Sequence, residues 1–309
     1  MTETSNATMI HRMNSIHKNA IVFYRFLLFF IVFMLENHAG TGYILERVTQ
    51  LDPKSTHTTE EKPSLKTLTV AQQKGGTGKT TTAHAIGSWL KDQGRRVLFV
   101  DLDAQTNLSF IMGARMDGLS VLDVLTGNAA AADAIQKTDG GNIIPGTALL
   151  AGADIDFAGK MYILSERLKA ISRRFDYCII DTPPALGALT VAALTAADSV
   201  IIPCLPDTLS IQALGQIVDT IKAVKKSCNP NLKIAGILLT RYTPRQKLTR
   251  DIETMLEQAA KSIGTRVFKA RIRETVSIRE AQTMGQSIYT YSANSAGAID
   301  YTNLMKEIY

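Results

Sequence analysis

Cysteine is scarce in this chain of 309 residues: there are three, Cys178, Cys204 and Cys228, and no two stand in C-x-x-C spacing. That argues against a disulfide framework and leaves no thiolate set for a metal or cluster. Cys178 and Cys204 lie in apolar, strand-like runs, so buried reduced thiols in a reducing cytoplasm are expected. Internal repeats and low-complexity tracts are also missing. Long apolar runs are missing too. The longest, residues 20–35, covers about sixteen residues and is broken by Arg25, short of the ~20 needed to span a bilayer comfortably. Arg12 and Lys18 precede it as in a secretory signal, but no small-residue cleavage site follows. What remains, 45% hydrophobic and 20% charged, suits one sizeable α/β domain with extra material.

The informative stretch is Gln73-Lys74-Gly75-Gly76-Thr77-Gly78-Lys79-Thr80-Thr81. The apolar run Leu68–Ala71 leads into it, and a helical pattern from Thr80 to Gln93 leads out. This is the strand–loop–helix setting of a phosphate-binding loop. Its glycines let backbone N–H groups turn inward around a polyphosphate, and the helix N-terminus adds its positive end. Residues 75–81 are therefore the expected nucleotide cradle. Lys79 is expected to reach the β- and γ-phosphates, and the Thr80 hydroxyl to ligate Mg²⁺. ATP and Mg²⁺ are the expected cofactors. The generic pattern asks for glycine where Gln73 stands, so it fails by one residue.

From Leu65 onward, strand and helix patterns alternate, which predicts an α/β fold: a doubly wound, mostly parallel sheet flanked by helices. Strands are expected at 66–71, 96–101, 175–181, 198–203 and 233–239. Helices are expected near 80–93, 161–173, 187–196, 208–226, 245–262 and 296–308. Such sheets bind ligands at the carboxyl ends of their strands, here near residues 72, 102 and 181. Acids stand at two of those ends. Asp101 and Asp103, two apart, project to one side of a strand and are expected to face the γ-phosphate and the metal. Asp181 ends the run Phe175–Ile180 in the Walker B manner and is expected to hold the Mg²⁺ shell, partly through water.

Lys74 has little to do in its own nucleotide site, because Lys79 already serves the phosphates. With it the loop resembles the deviant Walker A motif, K-G-G-x-G-K-T-[ST], of the ParA/MinD superfamily of ATPases. The resemblance implies that Lys74 reaches across a homodimer interface to the partner's ATP, so that nucleotide joins two copies. Asp101-Leu102-Asp103-Ala104-Gln105 matches the family's D-x-D-P-Q with alanine for proline. This implies that Asp103 orients the attacking water while Asp101 supports metal and loop. Lys74, Lys79 and Asp103 are thus the expected catalytic set, with Thr80, Asp101 and Asp181 around the metal. Thr182-Pro183-Pro184 resembles the second switch. Gly236–Tyr242 resembles the base-contacting segment and puts Arg241 against the nucleotide. Further on, Val267–Val276 resembles a stretch often reading I-P-R-N-V, and Tyr301–Ile308 resembles Y-x-x-L-x-x-E-I with Met305 in the leucine's place. The resemblance runs over residues 66–308, so residues 64–309 are the expected ATPase domain and 1–63 an extension. The cysteine placement of the superfamily's iron proteins is absent.

Charge argues for the branch. The net charge is +6, and between Lys222 and Glu280 fourteen Lys/Arg face five Asp/Glu. Such clustering marks a nucleic-acid footprint, read through phosphate and indifferent to sequence. Lys225, Lys226, Arg241, Arg245, Lys247, Arg271 and Arg273 belong to it. One departure stands out: Arg273-Glu274 occupies the place of a frequent Pro-Arg, and a glutamate there would repel phosphate. The favoured reading is a short ParA-type ATPase that partitions a plasmid or chromosome. Its ATP-bound dimer would coat double-stranded DNA nonspecifically, and a ParB-like adaptor would stimulate hydrolysis and release, in the cytoplasm and on the nucleoid. The alternative is a MinD-like membrane-cycling ATPase, although the chain shows no amphipathic tail after Ile308. A tyrosine autokinase lacks the expected tyrosine-rich tail. For residues 1–63 three readings stand side by side: a membrane-associated anchor around 20–35, a buried or partner-binding helix, and a start placed too far upstream of Met34. Residues 48–64, polar and with two prolines, read as a linker.

Overall fold

The computed structural model describes residues 65–153, 157–243 and 247–309, apart from the side chains of 247–249. The expectations for residues 1–64 and for the start of the helix near 245 lie outside the described residues. Among the described residues, no helix is long and apolar enough to cross a membrane.

All five expected strands form: β1 (Lys66–Val70), β2 (Val97–Asp101), β5 (Tyr177–Asp181), β6 (Ser199–Cys204) and β7 (Lys233–Tyr242). Three more join them: β3 (Gln136–Thr138), β4 (Gly141–Ile144) and β8 (Val267–Arg273). They build one eight-stranded sheet in the order β3-β4-β2-β5-β1-β6-β7-β8. Every pairing is parallel except the β3–β4 hairpin. The register is what builds the site. Val70 lies opposite Asp181 in β5, and Asp101 of β2 lies opposite the same residue. Three strands therefore end at one level, and the loops that follow them meet.

Alternation along the strands sends side chains to two apolar layers. On one side Leu68, Val70, Phe99 and Ile179 pack against α1 (Lys79–Asp92) and against Leu304 and Met305 near the carboxyl end of the chain. On the other, Leu98, Val100 and Ile180 meet α3 (Val121–Thr126), α4 (Ile163–Lys169) and α5 (Ala188–Ala196), while Leu108 of α2 (Asn107–Ile111) joins the α1 side. The neighbouring residues Val200, Ile202 and Leu239 meet α6 (Thr208–Ser227) and α7 (Lys247–Ser262). The chain closes with α8 (Val276–Thr283), α9 (Ile288–Ser292) and α10 (Ala296–Ile308). The helix expected over 161–173 is shorter than its pattern. It stops at Lys169 and is followed by one tight turn, Ser172–Arg174, because the chain must turn to enter β5.

Helix α1 lies close under the sheet because of a glycine. A Cβ on Gly87 would stand 2.2 Å from the Phe99 ring, so that position holds the helix-to-strand distance. His84 on the same helix is buried beside Phe99. Burial, and then the charge of Lys91, pull its pKa down to about 4.

Two outcomes follow from this packing. Gly87→Ala should cost about 1–3 kcal/mol by overpacking, read by denaturant unfolding, and an unchanged midpoint would show that α1 can back away freely. For His84 the folded pKa lies below the ordinary histidine value, so the unfolded chain binds the extra proton first. Stability should therefore fall as pH drops from about 6.5 to about 4, by on the order of 3 kcal/mol for this group. His84→Gln should remove most of that slope.

Candidate active site

The phosphate-binding loop is shaped by two left-handed glycines, Gly76 (φ 72°) and Gly78 (φ 81°). Gly78 stands at the N-cap of α1 with no side-chain cap, so the first N–H groups of that helix face the loop's interior. The loop is buckled to its neighbours. Thr240, near the end of β7, donates its hydroxyl to the Thr77 carbonyl at 2.8 Å and approaches the Cys204 carbonyl at 3.3 Å. Gln72 donates to the Cys204 sulfur at 3.4 Å and accepts from the Gln73 amide at 2.8 Å. Cys178, Cys204 and Cys228 are all free thiols, as their spacing predicts.

A cleft of about 730 Å³ opens over the loop, lined by Gly75, Gly76, Gly78, Lys79, Thr80, Thr81 and Asp103 among others. Arg241 lines it as well, with a φ of 50° that is uncommon outside glycine. Lys79 is 7% exposed. Burial lowers its pKa, and the carboxylates of Asp181 and Asp103 oppose that shift. Asp181 is fully buried, and among the described residues neither of its oxygens meets a hydrogen bond of ordinary geometry. Burial and then the charge of Asp101 push its carboxyl well up, while the Thr80 hydroxyl and Lys79 work the other way. A buried carboxylate left without a partner beside a threonine hydroxyl and a phosphate loop is chemically suited to a hydrated divalent cation. Behind it, Thr182 donates its hydroxyl to the Val70 carbonyl at 2.9 Å, tying the Thr-Pro-Pro segment to β1.

The two aspartates at the end of β2 do not share one job. Asp103 lines the cleft and accepts the Gln105 amide at 3.0 Å. Asp101 lies opposite Asp181 and is bonded to the segment that follows it. One of its oxygens accepts the Asp103 amide at 3.1 Å, and the other accepts the Ser109 amide at 2.9 Å and hydroxyl at 2.7 Å. The Ser109 oxygen in turn accepts the Gly146 amide at 2.9 Å. A Cβ on Gly146 would lie 3.1 Å from the Asp101 carboxyl carbon, so a side chain there would crowd Asp101. These bonds tie Asp101 to the segment that carries Asp103.

These features agree with the comparisons. Residues 65–234 match the model of an AAA domain family. The chain is 37% identical over 250 residues to the sporulation initiation inhibitor protein Soj of Bacillus subtilis, covering 79% of this chain and 98% of that one. It is 38% identical over 257 residues to the chromosome partitioning protein ParA of Caulobacter vibrioides, covering 79% and 94%. The chain belongs to the ParA/Soj family of chromosome-partitioning ATPases. Among solved structures, a cobyrinic acid a,c-diamide synthase from Mycobacterium smegmatis with bound ADP and magnesium is 39% identical. It covers 77% of this chain and 91% of its own, with a TM-score of 0.66.

Within the family frame, Lys74 points away from its own loop. Its ammonium lies 2.5 Å from Asp207 and 3.4 Å from the Ser210 hydroxyl, at the N-terminus of α6. Burial works to raise the Asp207 carboxyl, but Lys74 and the Ser210 amide and hydroxyl outweigh it and leave the group below the ordinary carboxylate range. The late basic residues are less free than their number suggests. Arg241 pairs with Glu274 at 2.8 Å, Arg271 with Glu253, and Arg273 with Asp300 at 2.6 Å. The repulsive Glu274 is thereby neutralised, its pKa lowered first by the Arg241 hydrogen bond. Lys225, Lys226, Arg250, Lys261 and Lys269 remain exposed, and the side chains of Arg245 and Lys247 lie outside the described residues. Ser109, Gly146 and Asp207 escaped the sequence reading, and Thr240 entered it only within the Gly236–Tyr242 stretch. Only Asp207 left a signal, as the N-cap of a long helix pattern.

Ser109→Ala should test the Asp101 relay. Losing the bridging hydroxyl should cost about 1–2 kcal/mol of stability and slow phosphate release by displacing Asp103. An unaltered kcat would show that the loop keeps its place without the bridge.

Proposed function

We propose that residues 64–309 form a Mg²⁺-dependent ATPase domain that partitions DNA, working as an ATP-joined homodimer on nonspecific double-stranded DNA. The observation that carries the site assignment is the meeting of Lys79, Thr80 and the unpartnered, buried Asp181 beneath a glycine loop. Thr80 and Asp181 would hold magnesium, partly through water, and bound magnesium supplies neutralisation of the β- and γ-phosphate charge. The Mycobacterium smegmatis relative, with its ADP and magnesium, supports the cofactor pair.

Phosphoryl transfer asks a protein mainly for positioning and charge. The loop amides of residues 75–81 and Lys79 wrap the phosphates. Asp103, held by the Gln105 amide and by the Asp101–Ser109 bridge, orients the attacking water. Arg241 flanks the nucleotide at the end of β7. Lys74 completes the partner's site in the dimer, and to do so it must leave Asp207. The ion pair is therefore a resting place for that lysine: the side chain is 22% exposed, and a phosphate oxygen competes for it with a carboxylate. Identity to Soj and ParA of 37–38%, with the exposed lysines of α6 and α7, supports DNA as the surface and a ParB-like adaptor as the stimulator. The protein would then work in the cytoplasm, on the nucleoid.

Lys74→Ala should leave ATP binding to the monomer intact yet cut kcat by about 100-fold, the scale of one lost transition-state contact. Lys79→Ala should abolish nucleotide uptake. The wider reading is tested with full-length protein on a nonspecific duplex, with ATP, with ADP and without nucleotide, across a salt series. Binding only with ATP, weakening steeply with salt, is expected. Protein that takes up ATP but binds no duplex in any state would sink the DNA assignment.

A further inference from the structure

Among the described residues, the cleft holds one arginine that makes no ion pair. Four side chains bring positive charge to its lining: Lys79, Arg241, Arg273 and Arg279. Lys79 belongs to the loop. Arg241 is held by Glu274, and Arg273 is held by Asp300 through its Nε, its Nη2 and its own backbone amide. Arg279, on α8, is exposed and makes no ion pair among the described residues. Its charge is felt by the Glu274 carboxylate, the weakest of the influences that lower that group.

Its helix is fastened to the phosphate loop. Gln282, three residues on and hence on the same helical face, donates its amide to the Thr81 hydroxyl at 2.8 Å. Thr81 lies in the first turn of α1, where loop amides and helix dipole gather phosphate. The rest of the seam is tight. Thr82 and Tyr301 share a hydrogen bond of 3.2 Å between α1 and α10, and a Cβ on Gly297 of α10 would stand 2.7 Å from Ile278 of α8. Helix α8 thus lies alongside the start of α1. Side chains on a helix lean toward its N-terminus, so Arg279 reaches from the level of Thr81 toward the strand ends, along the cleft wall that carries Thr275 and Glu274.

We propose that Arg279 is a nucleotide-binding residue: its guanidinium contacts the phosphates nearest the ribose, and Gln282 is the positioning residue that holds α8 at the required distance from Thr81. This rests on the cleft being the ATP site. A guanidinium meeting phosphate forms charge-assisted bonds. The same phosphates are present in ATP and ADP, so the contact strengthens binding of both equally and has little effect on the chemical step. No phosphate contact of this kind follows from the loop motif, which lies two hundred residues earlier in the chain.

The test is nucleotide titration of the full-length protein by calorimetry, with wild type measured first, followed by steady-state hydrolysis and duplex binding at saturating ATP. Arg279→Gln should raise Kd for ATP and for ADP alike, by about tenfold for one lost charge-assisted hydrogen bond. KM should rise in step while kcat falls far less, and Arg279→Lys should recover part of the loss. Gln282→Ala should weaken both nucleotides in the same ratio. Unchanged ATP and ADP affinities in Arg279→Gln overturn the proposal. So does a variant that keeps nucleotide affinity and loses duplex binding, which would give Arg279 to the DNA surface. Wild-type protein that binds no ATP would instead remove the site assignment beneath it.

Discussion

The fully buried carboxylate of Asp181 constrains everything around it. Charge taken out of water is costly unless it is paired and hydrogen-bonded, and among the described residues only the nearby Thr80 hydroxyl and Lys79 offset that cost for Asp181. Lys79 stands close enough to oppose the resulting shift, and its own burial weakens it as a proton holder. Such an arrangement stores electrostatic demand at the point where the loop after β1 meets the ends of β2 and β5. In the proposed function, Asp181 would hold the cation of a magnesium-bound polyphosphate, and the lysine and loop amides its anionic oxygens.

The two aspartates at the end of β2 show how neighbouring acids are set apart by their contacts. Asp101 and Asp103 are two residues apart, both largely buried, yet their oxygens face different partners. Asp101 binds the returning loop at Ser109, and through Ser109 the close approach of Gly146. Asp103 is left toward the cleft. The same division runs through the cations. Arg241, Arg271 and Arg273 are satisfied by Glu274, Glu253 and Asp300, so a count of basic residues overstates the field offered to a polyanion. Pairs such as Arg241–Glu274 and Lys74–Asp207, partly exposed on both sides, contribute little to stability. Their interest lies in holding charged groups that a phosphate could claim.

Much of the scaffold was legible because the central strands are rich in Val, Ile and Leu and alternate with helical patterns. The strands that escaped are those whose pattern is weak. Gln136-Lys137-Thr138 is short and polar, and β4 has only Ile143 and Ile144 fully buried. In β8 the buried residues Phe268, Ala270 and Ile272 alternate with Lys269, Arg271 and Arg273, and that alternation is the mark of an edge strand. Read as a surface charge cluster, it concealed its period of two.

The order of residues by itself determined the phosphate loop, the extra lysine at its head and the acids at the strand ends, because these depend on local backbone geometry and on spacing within a few residues. Only the tertiary structure decided which acid faces the cleft, which arginines are already paired, where Lys74 rests and which distant helix borders the loop. Those outcomes depend on side-chain contacts made in the fold, some between residues more than a hundred positions apart, such as Lys74 with Asp207 and Gln282 with Thr81. A side chain's freedom is set by the partners the fold brings to it, and no local pattern records them.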